Sequence, residues 1–312
     1  MAPLIRRHGS TLSASPPMFL LTIALVAVSG DSTVVRDVEV ARGETLRTTS
    51  IGSGPPVVLI PGIFGGAYGY RRITGPLVAR GYRTIVIEPL GYGSSSHPKR
   101  ADYSFTAQTR RVAQTLDRLG ITRALVVAQS SGAAIGFRLA IQRPDLVRGL
   151  LSIDGGPAES AATPGLKKAF KFGGGLAKLA MSPSKLRHDV RREIIRNSGD
   201  TSWVTDAAIR AYTAGQASDM DGSIDAFHAM SKSKEATSLR DRLHRCAIPV
   251  LLLVGTVPHP SEVTHDEREL LKKKLPRFKI ESVPRSGQYI HEEQPRTVLD
   301  AVLRLDRVAR QA

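Results

Sequence analysis

The feature that most constrains the fold is an alternation, beginning after residue 30, of short apolar runs with longer amphipathic segments. The continuous apolar runs, such as 57–60 (VVLI) and 124–128 (ALVVA), predict strands that are buried on both faces. The amphipathic segments, such as 105–119 and 131–142, predict helices. This alternation is typical of a mostly parallel sheet covered by helices.

The chain divides into a core and one long insertion. Between Asp154 and Ile248 the alternation stops, and helical periodicity continues without a convincing strand. We therefore predict a core over residues 31–154 and 248–312, with a helical cap over residues 155–247. In the core we predict strands at 34–40, 45–51, 57–60, 83–88, 124–128, 147–153, 249–254 and 278–283, and helices at 70–80, 105–119, 131–142 and 295–310.

Residues 1–30 have the three-part layout of a secretory signal. The first 17 residues contain two arginines and no acidic residue, residues 18–28 form an uncharged apolar run, and Ser29 and Gly30 are small residues suited to signal-peptidase cleavage. The apolar run is shorter than the about 20 residues that span a bilayer as a helix. We therefore expect an exported protein, periplasmic or secreted, with a membrane anchor formed by an uncleaved signal as the alternative.

Charge and cysteine content exclude several kinds of site. The chain has 44 Lys and Arg against 28 Asp and Glu, a net charge of +16 that favours contact with anionic membrane surfaces. The longest block of consecutive basic residues is only Lys272–Lys274, and no zinc-finger spacing is present, so we expect no nucleic-acid partner. The single cysteine, Cys246, excludes an intrachain disulfide, and the eight histidines form no HExxH or HxxxH pair. We therefore predict no metal site and no cofactor.

A strand-to-helix turn around Ser130 is the strongest local signal for chemistry. Residues 125–134 (LVVAQSSGAA) run from a predicted buried strand directly into a predicted helix, with the small residues Ala128 and Gly132 on either side of Ser130. So tight a turn strains the central residue and requires small neighbours. It presents a serine hydroxyl at the edge of the sheet, beside a helix N-terminus that favours developing negative charge. The alternative is a plain turn in which the serines cap the helix.

Five landmarks in this order resemble the α/β-hydrolase fold superfamily, most closely its cap-bearing members such as esterases, dehalogenases and epoxide hydrolases. They are residues 57–66 (VVLIPGIFGG), residues 88–95 (EPLGYGSS), the turn at Ser130, the helical insertion and residues 286–295 (SGQYIHEEQP). The resemblance implies an α/β-hydrolase fold with a mostly parallel eight-stranded sheet flanked by helices and a helical cap insertion. It also implies that Ser130 is the nucleophile. Dehalogenases and epoxide hydrolases have an aspartate at the position of Ser130, so the serine indicates a mechanism different from theirs. The fold alone does not select a substrate.

The resemblance further implies where the other catalytic groups lie. The backbone N–H groups of Ile63 and Ser131 would form the oxyanion hole. The base is expected after the last strand, and alignment on Gly287 and Pro295 places Gln288 at that position. A neutral amide can hydrogen-bond to the Ser130 hydroxyl, but it has no useful proton affinity near pH 7.

Three residues are candidates for the roles of acid and base. Asp154 ends a predicted strand and matches the position of the orienting acid in some cap-bearing relatives, with a turn aspartate that binds backbone amides as the alternative. His291 lies three residues beyond Gln288 and requires a rearranged loop to act as base, with a partly buried residue at a helix start as the alternative. His259 follows another predicted strand and is a second candidate base.

Three functions remain open from the sequence. The first is a serine hydrolase that acts on an ester or related acyl substrate, with Ser130 as nucleophile, Asp154 as orienting acid and His291 as base. The second is a catalytically degenerate homologue that binds a small apolar ligand. The third is an adaptor that binds anionic surfaces through the basic segment 165–181 (GLKKAFKFGGGLAKLAM), in which Gly173–Gly175 would interrupt a lid helix.

Overall fold

The computed structural model describes residues 32–311, and at its centre is one eight-stranded sheet. The spatial order of the strands is β1-β2-β4-β3-β5-β6-β7-β8. β2 pairs antiparallel with β1 and β4, and every other neighbouring pair is parallel. The predicted mostly parallel sheet is thus confirmed. The strands are β1 (Val34–Ala41), β2 (Glu44–Ile51), β3 (Pro56–Ile60), β4 (Arg83–Ile87), β5 (Ala124–Gln129), β6 (Val147–Ile153), β7 (Val250–Gly255) and β8 (Phe278–Val283).

Helices cover both faces of this sheet. Because successive strand residues point to opposite faces, Val58 and Ile60 of β3 join one buried cluster while Val57 and Leu59 join another. Phe137 of α3 packs in the first cluster, and the second contains residues of α1 and α11. The helices of the core are α1 (Arg71–Val78), α2 (Phe105–Arg118), α3 (Ser131–Gln142), α9 (His265–Lys274), α10 (Ile290–Glu293) and α11 (Pro295–Arg310).

Besides the 3-10 helix Arg240–Arg245, five α-helices lie between β6 and β7, where the sequence predicts a helical insertion. They are α4 (Pro164–Ala169), α5 (Gly174–Ala180), α6 (Pro183–Arg196), α7 (Asp206–Ser218) and α8 (Met220–Ser231). The two prolines begin helices α4 and α6 after the N-cap residues Thr163 and Ser182, because a proline in the first turn removes no intrahelical hydrogen bond. Trp203 and Tyr212 of the insertion pack in one cluster with Tyr289, which follows β8. The insertion is therefore attached to the loop after the last strand.

Helix α9 has no counterpart in the sequence predictions. It begins with a capping box in which Thr264 and Glu267 satisfy each other's backbone N–H groups, and it ends in three lysines. Both are local signals that the sequence contains. None of the helices within residues 32–311 is both long enough and apolar enough to cross a bilayer. The predicted signal segment, residues 1–30, lies outside the described residues.

Candidate active site

Ser130 occupies a strained turn between β5 and α3. Its φ of 50° and ψ of −122° lie in a region that non-glycine residues rarely adopt. The surroundings leave no room for larger neighbours: a Cβ on Gly132 would lie 2.6 Å from the Ile60 carbonyl oxygen, and one on Gly155 would lie 2.5 Å from the Ser130 carbonyl oxygen. This is the turn that the small residues around Ser130 predict, and it holds the hydroxyl at the carboxyl end of the parallel strands.

The hydrogen-bond partner of the Ser130 hydroxyl is Gln288. The Nε2 atom of Gln288 donates to Ser130 Oγ over 3.0 Å. Gln288 is 6 % exposed, and its backbone N–H donates to the carbonyl of Asn197 in the insertion over 2.7 Å. Either end of an amide can hydrogen-bond to a hydroxyl, but neither end accepts its proton near pH 7. The residue in contact with Ser130 is therefore a positioning group and not a base.

His291 lies on the wall of the same pocket but makes no hydrogen bond to Ser130 within the described residues. Its ring packs against Tyr70 and Tyr289, with centroids 5.3 Å and 6.0 Å away. Burial, together with the charge of Arg71, lowers the pKa of His291 to about 3. Such an imidazole is neutral at pH 7 but is a weak proton acceptor. The ring contacts of His291 are those of a packed aromatic side chain.

The structure pairs the predicted acid Asp154 with His259 and not with His291. Asp154 directly follows β6 with a φ of 44°, and its Oδ2 lies 2.8 Å from His259 Nε2 in the loop after β7. Both side chains are 1 % exposed. Burial raises the pKa of Asp154, and the contact with His259 opposes that rise. The carboxylate thus lies at the position that the resemblance predicts for the acid in some cap-bearing relatives, but the imidazole it meets follows β7 and not the last strand, β8.

Ile63 and Ser131, the residues of the two predicted oxyanion donors, line the same pocket as Ser130. Ile63 lies in the loop after β3, and Ser131 is the first residue of α3. The preceding Gly62 N–H donates to Gln129 Oε1 over 3.1 Å, which fixes this loop against the end of β5. Within residues 32–311, neither the Ile63 nor the Ser131 N–H donates to a protein acceptor. Both are therefore free to bind the oxygen of a polarised carbonyl.

Above Ser130 lies a cavity of about 930 Å³ between the sheet and the insertion. This is within the size range of pockets that enclose small organic ligands. Its wall is mostly apolar, and the polar groups Asp189, Arg192, Glu193 and Arg196 line it on α6. The apolar part of the wall comes from the core and the insertion together: Phe64, Tyr92, Phe105, Leu166, Phe170, Met181, Leu186, Val190, Ile224 and Phe227.

Two carboxylates to which the sequence assigns no role, the buried Glu292 and the half-buried Glu293, hold the loop that carries Gln288. Glu292 is fully buried, pairs with Arg71 and Arg72, and accepts a hydrogen bond from the Tyr212 hydroxyl over 2.9 Å. Glu293 Oε2 accepts from the Gly287 N–H over 3.1 Å and also from two N–H groups of the insertion. The sequence signal that could have indicated these contacts is the pair of adjacent acidic residues close to Gln288, together with the pair of adjacent basic residues Arg71 and Arg72. These contacts fix Gln288 relative to Ser130.

Comparison with known proteins identifies the fold that carries this site. The family model described as "alpha/beta hydrolase fold" matches residues 55–256. A mouse (Mus musculus) protein described as sn-1-specific diacylglycerol lipase ABHD11 is 26% identical over 257 residues, which is 80% of each chain. A bromoperoxidase structure from Bacillus anthracis superposes with a TM-score of 0.71 at 20% identity, over 88% of this chain and 100% of that one. A bacterial membrane phospholipase A superposes with a TM-score of 0.70 at 20% identity, over 90% and 87% of the two chains. These two structural likenesses show the fold alone.

Proposed function

Because this chain belongs to the family with the alpha/beta hydrolase fold, we propose that it binds an ester or related acyl compound above Ser130 and turns it over far more slowly than a relative with a histidine base. The observation that carries this proposal is the 3.0 Å hydrogen bond from Gln288 Nε2 to Ser130 Oγ. The bound carbonyl oxygen would accept hydrogen bonds from the N–H groups of Ile63 and Ser131. The site would thus keep the groups that bind an acyl compound while lacking the group that activates the nucleophile.

The absence of a base at this position carries a large kinetic cost. A serine hydroxyl is a weak nucleophile unless a neighbouring group removes its proton as it attacks. In serine proteases, loss of the histidine base lowers kcat by about 10⁶, and binding and the oxyanion hole leave a residual acceleration of about 10³–10⁴ over water. We expect turnover by this protein to lie near that residual level.

The shape and lining of the cavity support an acyl compound with a large apolar part. A cavity of about 930 Å³ with a mostly apolar wall holds an alkyl or aryl group against the aromatic side chains. The mouse relative carries the description of a diacylglycerol lipase, which is consistent with a lipid-like ester. We therefore propose medium-chain or lipid-like esters as the ligand class, and no cofactor.

The Asp154–His259 contact favours a second candidate, an active serine hydrolase with a relocated base. His259 Nε2 lies 2.8 Å from Asp154 Oδ2, and the next two residues, Pro260 and Ser261, line the cavity with Ser130. In this candidate His259 would take the role that the resemblance gives to a histidine after β8, and Asp154 would orient it. The other candidate base, His291, has a lowered pKa that makes it a poorer proton acceptor.

A covalent probe and an ester panel separate these candidates. The protein, Ser130→Ala and Gln288→His would be treated with a fluorophosphonate probe and with p-nitrophenyl esters of increasing chain length. We expect slow labelling that Ser130→Ala abolishes, weak turnover in the parent, and a marked gain in Gln288→His. Rapid turnover by the parent, lost in Ser130→Ala, would instead support the active hydrolase. Ligand binding is measured separately, by competition of non-hydrolysable long-chain ketones with the probe.

We also propose that the protein is exported by way of residues 1–30. The sequence layout described above supports this, with cleavage after Ser29 or Gly30. Intact-mass measurement of protein recovered from cell envelopes and culture medium tests it. A mass that retains all of residues 1–30 in both fractions would contradict cleavage and favour the uncleaved anchor.

A further inference from the structure

We propose that the outer face of α4 and α5 is a docking surface for an anionic lipid bilayer, next to the cavity above Ser130. We call this face the α4–α5 surface; it comprises Lys167, Lys168, Lys171, Phe172 and Leu179. The inference goes beyond the proposed function, because it does not depend on whether Ser130 turns over an ester.

Large apolar side chains of this surface are exposed to solvent. Phe172 is 77 % exposed and Leu179 is 86 % exposed, more than any other large apolar side chain that the structure describes. Both lie on the same short segment of the insertion, and Lys171 Nζ lies 5.5 Å from the centroid of the Phe172 ring. An aromatic and an aliphatic side chain in open water are unfavourable unless another apolar phase receives them.

The segment that carries this surface is positively charged. No Asp or Glu occurs between Glu159 and Asp189, whereas the residues between them include six Lys or Arg. Lys167, Lys168 and Lys171 are exposed and form no ion pair in the described part of the chain. Basic side chains next to exposed apolar ones match the interface of an anionic membrane, where the lysines lie among the headgroups and the apolar groups enter the acyl boundary.

The α4–α5 segment also forms part of the cavity wall. Leu166, Phe170 and Met181 line the cavity above Ser130, whereas Phe172 and Leu179 are exposed to solvent. Lys168 of the α4–α5 surface is exposed and also lines the cavity, so this surface reaches the edge of the pocket. Gly173 lies between α4 and α5 with a φ of 90°, so the chain turns there in a conformation that favours glycine. One thin layer of protein therefore separates the exposed surface from the pocket, and a lipid-like ligand in a bilayer would enter over a short path.

The test is sedimentation of the full-length protein with vesicles of phosphatidylglycerol and phosphatidylcholine, or of phosphatidylcholine alone. We expect binding to the anionic vesicles that weakens as salt is added. Replacement of Lys167, Lys168 and Lys171 by Gln should weaken binding by about fivefold per lysine, or on the order of 100-fold in total at low salt. Phe172→Ser and Leu179→Ser should each weaken it by about tenfold.

Matched controls separate this surface from the overall positive charge. Replacement of Lys272, Lys273 and Lys274 in α9 by Gln removes the same charge elsewhere, and Val35→Ser removes an apolar side chain that is 53 % exposed on β1. All variants keep residues 1–31, so the apolar run at 18–28 contributes equally to each. Equal losses in the two lysine triples, or equal binding to neutral vesicles, would overturn the proposal.

A second measurement locates the contact itself. Phe172→Trp places an indole on the surface, and the unchanged protein gives the background of the buried Trp203, which is 4 % exposed. We expect a blue shift of the added fluorescence on anionic vesicles and quenching by lipids brominated on the acyl chains. Binding without quenching would show that another part of the chain holds the membrane. Binding to heparin but not to vesicles would show a site for soluble polyanions, and either result would refute the proposal.

Discussion

Replacement of Gln288 by histidine should create esterase activity, and the contact between Asp154 and His259 should limit the increase in rate. Gln288→His places an imidazole where the amide now lies 3.0 Å from Ser130 Oγ. A positioned general base contributes typically 10²–10⁴-fold to a rate. The new imidazole still needs a carboxylate to orient it, and the buried Asp154 already lies 2.8 Å from His259. We therefore expect Gln288→His alone to raise kcat/KM by on the order of 10²-fold.

Removing His259, which competes for Asp154, should give the remaining increase in rate. In serine proteases an orienting aspartate contributes about 10⁴ to kcat. His259→Leu fills a similar volume without a hydrogen-bonding group, which leaves the buried Asp154 carboxylate available to the new imidazole. We expect Gln288→His combined with His259→Leu to exceed Gln288→His by a further tenfold to 10³-fold. The rate of the double variant should rise with pH as the new imidazole loses its proton near its ordinary pKa of about 6.5.

The assay is hydrolysis of a medium-chain p-nitrophenyl ester between pH 5 and 9 by the parent, both single variants and the double variant. Ser130→Ala in the double-variant background is the control for background hydrolysis. A double variant no faster than Gln288→His would refute the idea that His259 occupies the acid. A parent that is already active and loses that activity on His259→Leu would show instead that His259 is its working base.

Three further outcomes test the physical reasoning about this site. Ser130→Gly should raise the free energy of unfolding in urea by about 1 kcal/mol, because glycine adopts the positive φ without strain. Ser130→Ala should not raise it, and equal effects of the two substitutions would show that the turn is not strained. Gly155→Ala should lower that free energy by at least about 2 kcal/mol, since the added Cβ would lie 2.4 Å from the Ala133 Cβ, while Gly165→Ala, with open space around it, should cost less than about 1 kcal/mol. His291 has a pKa of about 3 in the folded protein and about 6.5 unfolded, so the unfolded chain binds more protons between these values, and stability should fall by a few kcal/mol as pH falls through that window. His291→Phe should reduce this loss of stability at acid pH, measured as the free energy of unfolding in urea at pH 7 and pH 4.5. An unchanged loss would contradict the lowered pKa of His291.

Local patterns in the sequence determined much of the fold. The helices at 131–142 and 295–310 and the strands at 147–153 and 278–283 have the predicted bounds, because each is a periodic segment with clear ends. The turn at Ser130 could also be predicted, since its small neighbours lie next to it in the chain. The contact of Gln288 with Ser130 follows from the alignment on Gly287 and Pro295. Helix α9 was not predicted, although its capping box is a local signal that the sequence contains.

Tertiary structure alone decided which charged groups meet. Asp154 and His259 lie at the ends of neighbouring strands β6 and β7, and nothing in their sequence separation shows that their side chains touch. His291 was the predicted base, but its lowered pKa depends on burial, to which packing against Tyr70 contributes, and on the charge of Arg71, and both residues come from a distant part of the chain. Residue type and local periodicity are properties of a short segment, whereas the distance and dielectric environment that give a side chain its chemistry depend on residues brought together only when the chain folds.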